Sequence, residues 1–166
     1  MGIIAIINPE GVTPVELAVF SLRTAARAVV FDADGRIALL HATYEGYHKL
    51  PGGGVEIGED ITESLRRECR EEVGCEILIG ESLGDIHEYR KQFKQHQISY
   101  CFTAQVTGVI RVPQFTHEET AEGFTLEWFF PEEAMMILSS ESPALYVAKY
   151  MLLRDQAILA MVLPLN

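Results

Sequence analysis

The sequence predicts an α/β domain in which a mixed β-sheet is sandwiched between helices, an α/β/α arrangement. Strand-like segments occur on both sides of one amphipathic helix, and a long apolar helix lies near the C-terminus. The chain has 166 residues, of which 48% are hydrophobic, and this is enough for one well-filled core. We therefore expect a single domain over residues 1–166, with residues 1–20 as an N-terminal extension and residues 142–163 as a C-terminal helix.

The first two predicted strands form a hairpin. Ala26–Phe31 and Ile37–Ala42 are rich in apolar and β-branched residues, which favour strands. The segment DADG, residues 32–35, separates them, and such a segment between two apolar runs is typical of a tight turn. The two strands should therefore be antiparallel neighbours.

The predicted helix over Ile61–Val73 has the clearest signals in the chain. Asp60 and Glu63 have the spacing of a capping box at its start, and Gly74 is typical of a helix end. At about 100° per residue the apolar side chains fall on one stripe. The stripe consists of Ile61, Leu65, Cys69 and Val73. It should face the core.

Downstream of this helix the chain alternates between strand-like and helical segments. Glu76–His87 and Gln97–Val106 have the composition of strands. The polar segment between them, Glu88–His96, is predicted to be an exposed loop or a hairpin end. Three further elements complete the prediction: a strand over Thr125–Phe130, a helix beginning in Pro131–Leu138 and a long helix over Ser142–Met161.

The charge of the chain restricts its partners. It has 24 acidic and 13 basic residues and a net charge of -11. This charge disfavours a nucleic acid polymer as the partner, because the phosphate backbone is also negative. A small phosphate compound that is accompanied by a cation is compatible with it.

The sequence carries no clear targeting or membrane signal. Three cysteines without zinc-like spacing, Cys69, Cys75 and Cys101, favour reduced, buried thiols and a cytoplasmic location. The apolar N-terminus lacks the basic residues and the cleavage site of a secretion signal. Charged residues interrupt the apolar segment 145–163, so we expect a packed helix, compatible with a homodimer contact, rather than a membrane span.

Three glycines lead into a helix that carries three closely spaced carboxylates. Gly52–Gly54 come first, and Glu68, Glu71 and Glu72 then lie within about one helical turn. Carboxylates this close repel one another unless a positive charge lies among them. Glycines let the backbone approach a ligand closely. The combination predicts a site for divalent cations and phosphate.

The helical wheel separates the three glutamates. Glu68 and Glu72 lie on one flank of the apolar stripe, whereas Glu71 is turned further towards solvent. A partly desolvated carboxylate depends more on a metal or a cationic partner. Glu68 and Glu72 are therefore the first candidate ligands for Mg²⁺, Glu71 is the next, and the carbonyl of Gly52 is a natural additional donor.

An ordinary solvated face is the alternative explanation of this charged helix. Glutamates near a helix end commonly form i, i+4 ion pairs, here between Glu63 and Arg67. A solvated helix, however, does not need the three glycines at a fixed distance before it. The glycine loop therefore favours the ligand site.

The stretch Gly53–Cys75 resembles the Nudix box: Gly, five residues, Glu, seven residues, Arg-Glu, apolar, any, Glu-Glu, any, Gly, apolar. The fixed positions are filled by Gly53, Glu59, Arg67, Glu68, Glu71, Glu72 and Gly74. Cys69 and Cys75 replace the larger aliphatic residues that are usual at two apolar positions, and they behave as small hydrophobes. The resemblance extends over residues 24–138, including Trp128 in EWFFPEEA, and it implies the Nudix fold.

The resemblance also implies an activity, which is metal-dependent hydrolysis of a diphosphate linkage in nucleoside diphosphate derivatives. The implied cofactor is Mg²⁺ or Mn²⁺, and the implied ligands are Gly52, through its carbonyl, Glu68, Glu71 and Glu72. The residues implied in catalysis are Glu68, Glu72, Arg67 and Glu122. We expect Arg67 to pair with a glutamate of the box, most simply Glu59, and to orient the cluster.

A general base is also required, and in the family it is often a glutamate before the last core strand. Glu118, Glu119 and Glu122 are candidates in the segment HEETAEG. Glu122 is favoured because it lies six residues before Trp128. Glu68 is a further option, and simple solvation is the alternative for each of the other three.

Residues beside the glycine loop and in the basic segment are candidates for substrate contacts. Gly53 and Gly54 leave room for phosphate. His48 precedes the loop and is placed to contact the base or the phosphate of a nucleotide. Tyr89 and Arg90 would add phosphate contacts, and an exposed basic loop is the alternative for them.

The choice of substrate is less determined. The ADP-ribose and NADH branches of the family carry downstream proline signatures, and this chain has no proline between Pro51 and Pro113. This absence favours a nucleoside triphosphate or a modified nucleotide. The alternatives are an ADP-ribose or nucleotide-sugar pyrophosphatase and a catalytically inactive Nudix-fold nucleotide sensor. The intact glutamates argue against the sensor.

Overall fold

The computed structural model describes residues 2–163, which form a mixed sheet of eight strands with five α-helices. The strands are β1 Ile3–Ile7, β2 Ser21–Phe31, β3 Ile37–Ala42, β4 Tyr47–Lys49, β5 Gly52–Gly54, β6 Glu76–Arg90, β7 Gln95–Thr107 and β8 Phe124–Phe129. The helices are α1 Pro14–Leu17, α2 Ile61–Glu72, α3 His117–Ala121, α4 Pro131–Ser140 and α5 Tyr146–Ala160. The strand order is β1-β6-β7-β2-β3-β4, with β5 paired to β2 and β8 paired to β3.

Helices cover both faces of the sheet, as predicted. On one face Leu65 of α2 packs with Ala28 of β2. On the other face Leu138 of α4 and Ile158 of α5 pack with Val29. Successive residues of a strand point to opposite faces, so β2 supplies both layers of the core. β2 runs parallel to β7 and β1 runs parallel to β6, whereas the other neighbours are antiparallel.

The predicted hairpin is confirmed, with a longer first strand. Phe31 of β2 pairs with Ile37 of β3 in antiparallel register. Asp32 closes the turn because its Oδ1 accepts hydrogen bonds from the backbone N–H groups of Asp34 and Arg36, each at 2.9 Å. β2 begins at residue 21 rather than 26 because its first half pairs with β7, a partner that is distant in sequence.

α2 begins at the predicted residue, Ile61, and ends at Glu72, one residue before the predicted end. Asp60 Oδ1 accepts a 2.8 Å hydrogen bond from the N–H of Glu63, and Glu63 Oε2 accepts a 3.0 Å bond from the N–H of Asp60. Gly74 follows the helix with a φ of +74°, a conformation that favours glycine. Leu65 and Cys69 are fully buried on the apolar stripe. The local pattern alone therefore placed this helix correctly.

The segment Glu88–His96 is the hairpin end that the sequence predicts as one option, and the other option, an exposed loop over the whole segment, is wrong. β6 continues to Arg90 and β7 begins at Gln95, so only the turn between them, residues 91–94, is exposed. Glu88 and Arg90 are buried and bind each other, with 2.8 Å between Arg90 Nη2 and Glu88 Oε1. Charged residues in a sequence usually indicate an exposed loop. Here the ion pair between Glu88 and Arg90 compensates both charges inside the protein.

Both ends of the described chain pack onto the sheet. The N-terminal segment forms β1, which pairs with β6 at the edge. α5 covers Tyr146–Ala160 and is shorter than the helix predicted over residues 142–163. Pro143 disfavours a helical conformation at Ser142, which is the predicted first residue of the helix. None of the helices in residues 2–163 is long and apolar enough to span a membrane.

Candidate active site

The glycine loop lies against β2 and beneath α2. Gly52 has a φ of +127°, and a side-chain Cβ there would lie 2.1 Å from the carbonyl oxygen of Ala26. A Cβ on Gly53 would lie 2.1 Å from Glu68 Oε1. Both contacts are far shorter than van der Waals distance. The missing side chain of Gly52 therefore lets the loop pack against β2, and that of Gly53 leaves the space that the Glu68 carboxylate occupies. The loop and the helix are therefore fitted to each other.

Arg67 connects three carboxylates around this loop. Its guanidinium binds both oxygens of Glu59, at 2.9 and 3.1 Å, and confirms the predicted pair. Nη1 also contacts Glu68 at 2.8 Å and Glu71 at 3.4 Å. These carboxylates raise the pKa of Arg67, with the Glu59 hydrogen bonds as the largest cause. The alternative pair with Glu63 does not form, because Glu63 caps the helix instead.

The exposure of the three glutamates follows the order that the helical wheel predicts. The side chain of Glu72 is 2% exposed, that of Glu68 is 12% exposed and that of Glu71 is 37% exposed. Burial, followed by the charge of Glu68, raises the pKa of Glu71. The solvent exposure of the side chain therefore increases from Glu72 to Glu68 to Glu71.

Glu72 is a buried carboxylate with limited compensation. Its Oε1 accepts a 2.8 Å hydrogen bond from Lys49 Nζ, and its Oε2 accepts a 2.7 Å bond from the N–H of Gly52. Burial nevertheless raises the pKa of Glu72 to about 7, with Lys49 opposing this shift and the charge of Glu68 adding to it. At neutral pH this group therefore gains from additional positive charge.

The glycine loop and the three glutamates of α2 line a concave pocket of about 960 Å³, which is called the cleft below. Three sets of side chains converge there: Glu68, Glu71 and Glu72 of α2 with the glycine loop, Glu118, Glu119 and Glu122 in and after α3, and Arg23, Arg27 and Arg90 of the sheet. Residues from distant parts of the sequence therefore share one concave surface, as is typical of ligand sites.

The candidate bases lie in and directly after a short helix that the sequence analysis missed. Thr116 caps α3, and its side chain accepts a 3.2 Å hydrogen bond from the N–H of Glu119. Glu119 Oε1 lies 3.7 Å from Lys49 Nζ, next to the cation that binds Glu72. Glu122 accepts a 3.3 Å hydrogen bond from the hydroxyl of Tyr47. Thr and Glu at capping-box spacing were the available signal for this helix.

Two residues that the sequence predicts as substrate contacts, His48 and Tyr89, do not line the cleft. Strand alternation on β4 directs Tyr47 and Lys49 to the cleft, so His48 points to the opposite face of the sheet. Tyr89 packs edge-on against His96 and does not line the cleft, whereas its neighbour Arg90 does. The sequence does not tell which side of each strand lines the cleft, so the directions of His48 and Tyr89 could not be predicted from it.

His48 belongs to a separate group, the histidine cluster, formed by His41, His48, Glu127 and Glu141. Glu127 bridges the two rings, with its oxygens 3.0 Å from His41 Nδ1 and 3.2 Å from His48 Nε2. Glu141 binds both the ring and the backbone N–H of His48.

The ligand atoms of His41, His48 and Glu127 lie within 4.8 Å of one another, a spacing compatible with a metal ion. The rings, however, are stacked at 4.0 Å and are only 15° from parallel, so their nitrogen lone pairs do not converge on one point. Burial lowers the pKa of His48, but Glu141 and Glu127 outweigh it and raise the pKa overall. The cluster is therefore best explained as a hydrogen-bonded network.

The residues at the box fit a hard divalent cation. Carboxylates and a backbone carbonyl are the donors that Mg²⁺ and Mn²⁺ prefer. Glu68 lies in the space that the missing side chain of Gly53 provides, and the buried carboxylate of Glu72 has a raised pKa. Lys49 and Arg67 supply the local positive charge in the structure. Both cations are side chains that leave part of the carboxylate surface facing the cleft.

Comparison with known proteins agrees with the box and the fold. The family model described as NUDIX domain matches residues 21–150. Nucleoside triphosphatase NudI of Escherichia coli and of Shigella flexneri is 55% identical over 38 residues. This match covers 23% of this chain and 27% of those relatives, so the chain is aligned with about a quarter of their length.

Solved structures show the same fold at low sequence identity. The NUDIX hydrolase from Nitrosomonas europaea has a TM-score of 0.60 and 19% identity, with 81% of this chain and 88% of that chain covered. The MutT protein from Methanosarcina mazei Go1 has a TM-score of 0.55 and 20% identity, with 82% and 94% covered. The Ap4A hydrolase of C. elegans has a TM-score of 0.54 and 21% identity, with 81% and 96% covered.

Proposed function

The chain belongs to the Nudix family, and from this premise we propose that it is a metal-dependent pyrophosphohydrolase. Its reaction is the hydrolysis of the diphosphate linkage in a nucleoside diphosphate derivative, with a nucleoside triphosphate or a modified nucleotide as substrate. The short segment shared with nucleoside triphosphatases supports this choice. We further propose that residues 1–166 act as one domain, in the cytoplasm and on a small molecule.

The raised pKa of the buried Glu72 carboxylate is the observation that supports the proposal most directly. Its pKa is raised to about 7 because burial outweighs its bonds to Lys49 and Gly52. Structural carboxylates in the same protein behave in the opposite way. Arg67 lowers the pKa of Glu59, and arginines lower that of Glu88 in spite of its burial. An incompletely compensated carboxylate at the wall of a cleft is what a cation site requires.

The box residues have distinct proposed roles. The metal ligands are Gly52, through its carbonyl, Glu68, Glu71 and Glu72. When bound, Mg²⁺ or Mn²⁺ supplies positive charge to phosphate oxygens and lowers the pKa of a bound water molecule. Arg67 holds Glu68 and Glu71 in place through its hydrogen bonds. Lys49 orients Glu72 and adds a cation to the wall of the cleft. Gly53 and Gly54 let phosphate approach the loop.

The attacking water needs a proton acceptor on the wall of the cleft. Glu119 is the first candidate because it lies 3.7 Å from Lys49, which binds Glu72. Glu122 is the second, since the sequence favours it. Both carboxylates also accept a hydrogen bond, Glu119 from the N–H of Thr116 and Glu122 from Tyr47, so the position beside Lys49 decides the order. Glu118 also lines the cleft. Within residues 2–163 its side chain has no contact with the residues of the box.

The central test is hydrolysis of a nucleotide panel with and without Mg²⁺, with release of phosphate and pyrophosphate as the readout. The wild-type protein should turn over at least one nucleoside triphosphate or modified nucleotide when Mg²⁺ is present. Glu72→Gln should lower kcat/KM by roughly 10²–10³-fold, because it removes preorganised negative charge at the metal. Turnover that is indifferent to this substitution would contradict the proposal.

Glu76→Gln is the matched control. Glu76 follows α2 closely and is exposed, and its side chain contacts Arg70, with 3.4 Å between their charged atoms. Its substitution makes the same chemical change outside the cleft and should leave turnover unchanged. Absence of turnover on every nucleotide, with folded protein, would favour the nucleotide sensor instead.

A further inference from the structure

Four arginines lie between the sheet and α5, on the face opposite α2. We call them the arginine layer: Arg23 and Arg27 of β2, Arg90 of β6 and Arg154 of α5. Arg27, Arg90 and Arg154 are buried, and Arg23 is partly buried. Arg23, Arg27 and Arg90 line the cleft. A chain with a net charge of -11 thus concentrates cations at one wall of its cleft.

The carboxylates within this layer compensate only part of its charge. Asp155 binds Arg154 at 2.7 and 3.1 Å, and Glu88 binds Arg90 at 2.8 Å. Arg23 instead binds the neutral side chain of Gln97. The arginine layer therefore contains four guanidinium groups, and two carboxylates, Glu88 and Asp155, contact members of it. Two of the four positive charges are not neutralised by a contacting carboxylate.

Arg27 is the least satisfied member of the layer. It is 3% exposed, and within residues 2–163 its side chain forms no hydrogen bond or ion pair. Its Nε and Nη1 atoms are buried without an acceptor. Burial, followed by the charge of Arg154, lowers the pKa of Arg27 to about 10. A buried cation without a partner destabilises a fold, so its presence requires another explanation.

The position of Arg27 connects this layer to the glycine loop. Arg27 pairs through its backbone with Gly52. Arg23 Nη2 lies 2.9 Å from the point that a Cβ on Gly54 would take, so the third glycine leaves room for this guanidinium. The same cleft therefore has carboxylates on one wall and guanidinium groups on the other, and of these guanidinium groups that of Arg27 has no partner within residues 2–163.

We propose that Arg27, with Arg23 and Arg90, binds an anionic group of the substrate that is additional to the two phosphates flanking the hydrolysed bond. This inference rests on the proposed function and deepens it. The terminal phosphate of a nucleoside triphosphate is such a group. A nucleoside diphosphate joined to a neutral sugar has none. The guanidinium fork forms two hydrogen bonds to phosphate oxygens, which suits this recognition.

Binding of inorganic triphosphate in the presence of EDTA tests the subsite without metal or catalysis. Isothermal titration should show binding to the wild-type protein, about 10- to 100-fold weaker binding to Arg27→Met, and unchanged binding to Arg36→Met. Arg36 lies on the β2–β3 turn, outside the cleft. Equal binding to the wild-type protein and Arg27→Met, or no binding to the wild-type protein, would overturn the proposal.

Stability separates binding from a merely structural role. Arg27→Met removes an unpaired buried charge, so its thermal unfolding midpoint should equal or exceed that of the wild-type protein. A lower midpoint together with retained triphosphate binding would assign Arg27 to the fold and would overturn the proposal.

Hydrolysis distinguishes this proposal from the proposed function. With Mg²⁺, Arg27→Met should raise KM for nucleoside triphosphates about 10- to 100-fold and leave KM for ADP-ribose nearly unchanged. If no nucleotide is hydrolysed but Arg27-dependent triphosphate binding persists, the hydrolase function fails and the subsite stands. If hydrolysis occurs and the substitution affects both substrates equally, the hydrolase function stands and the subsite fails.

Discussion

The cleft and the histidine cluster lie on opposite sides of β4, and both place carboxylates beside cations. In the histidine cluster each charge meets an opposite one, so the pKa of His48 is raised and that of Glu127 is lowered in spite of burial. In the cleft the pKa of Glu72 is raised to about 7, and Arg27 has no partner within the described residues. Charges that are satisfied internally support the fold. Charges that are left unsatisfied mark the place of a ligand.

Substitution of the candidate base should give the largest effect in this comparison. Glu119→Gln should lower kcat by about 10²–10⁴-fold, because it removes the proton acceptor and leaves the fold intact. Glu122→Gln should have a smaller effect. Steady-state hydrolysis and thermal unfolding of both variants are the measurements. A larger loss in Glu122→Gln would reverse the order proposed for the two glutamates.

A methyl group on the glycine loop should have an intermediate effect. Gly53→Ala places a Cβ 2.1 Å from Glu68 Oε1, so the carboxylate must move away from its position. We expect kcat/KM to fall about 10- to 100-fold, as is typical when groups that orient metal ligands are changed. Gly2→Ala is the control for hydrolysis, because a Cβ at that glycine meets no atom within 4 Å and its φ is not in the left-handed region. Equal activity of Gly53→Ala and wild type would show that the position of Glu68 is unimportant.

The histidine cluster should show the reverse pattern, with a small loss of stability and no loss of activity. Glu141→Gln removes the negative charge beside His48 and should lower the free energy of unfolding by about 1 kcal/mol near pH 6. Hydrolysis should stay near the wild-type rate. Glu132→Gln, on the exposed face of α4, is the control. A large loss of activity in Glu141→Gln would break the distinction between the two regions.

The stability of the cluster should also depend on pH. The folded state raises the pKa of His48, so protonation stabilises the folded protein. This contribution is complete below the unfolded-state value of about 6.5 and is lost as the pH rises through the higher folded-state pKa. Urea unfolding of the wild-type protein should therefore show a loss of stability above about pH 6.5, and Glu141→Gln should show a smaller one.

Some elements could be predicted because their causes are local. The capping box, the apolar stripe and the terminal glycine of α2 lie within about four turns, and they fixed its ends. The Arg67–Glu59 pair is implied by the resemblance to the Nudix box, and the structure confirms it. The bounds of β2 and α5 differ from the predicted ones. β2 is five residues longer than predicted because it pairs with β7 along its whole length. α5 covers Tyr146–Ala160 and is shorter than predicted.

The wrong predictions concern the direction of side chains. His48 was assigned to the cleft because it neighbours the glycine loop in the sequence. On a strand, however, adjacent residues face opposite sides, and Lys49 is the residue that reaches Glu72. Arg27 was overlooked, although a single arginine inside the apolar run AARAVVF is an unusual residue for a buried strand.

The sequence by itself determined the family, the helix that carries the carboxylates and the glycines that make room for them. These features depend on spacing along the chain and on short-range geometry. Only the tertiary structure decided which charges are compensated. It joined Glu88 to Arg90, left Arg27 without a partner and brought Glu119 beside Lys49. The physical reason is that desolvation and Coulomb interactions depend on distance in space, and residues far apart in sequence set that distance.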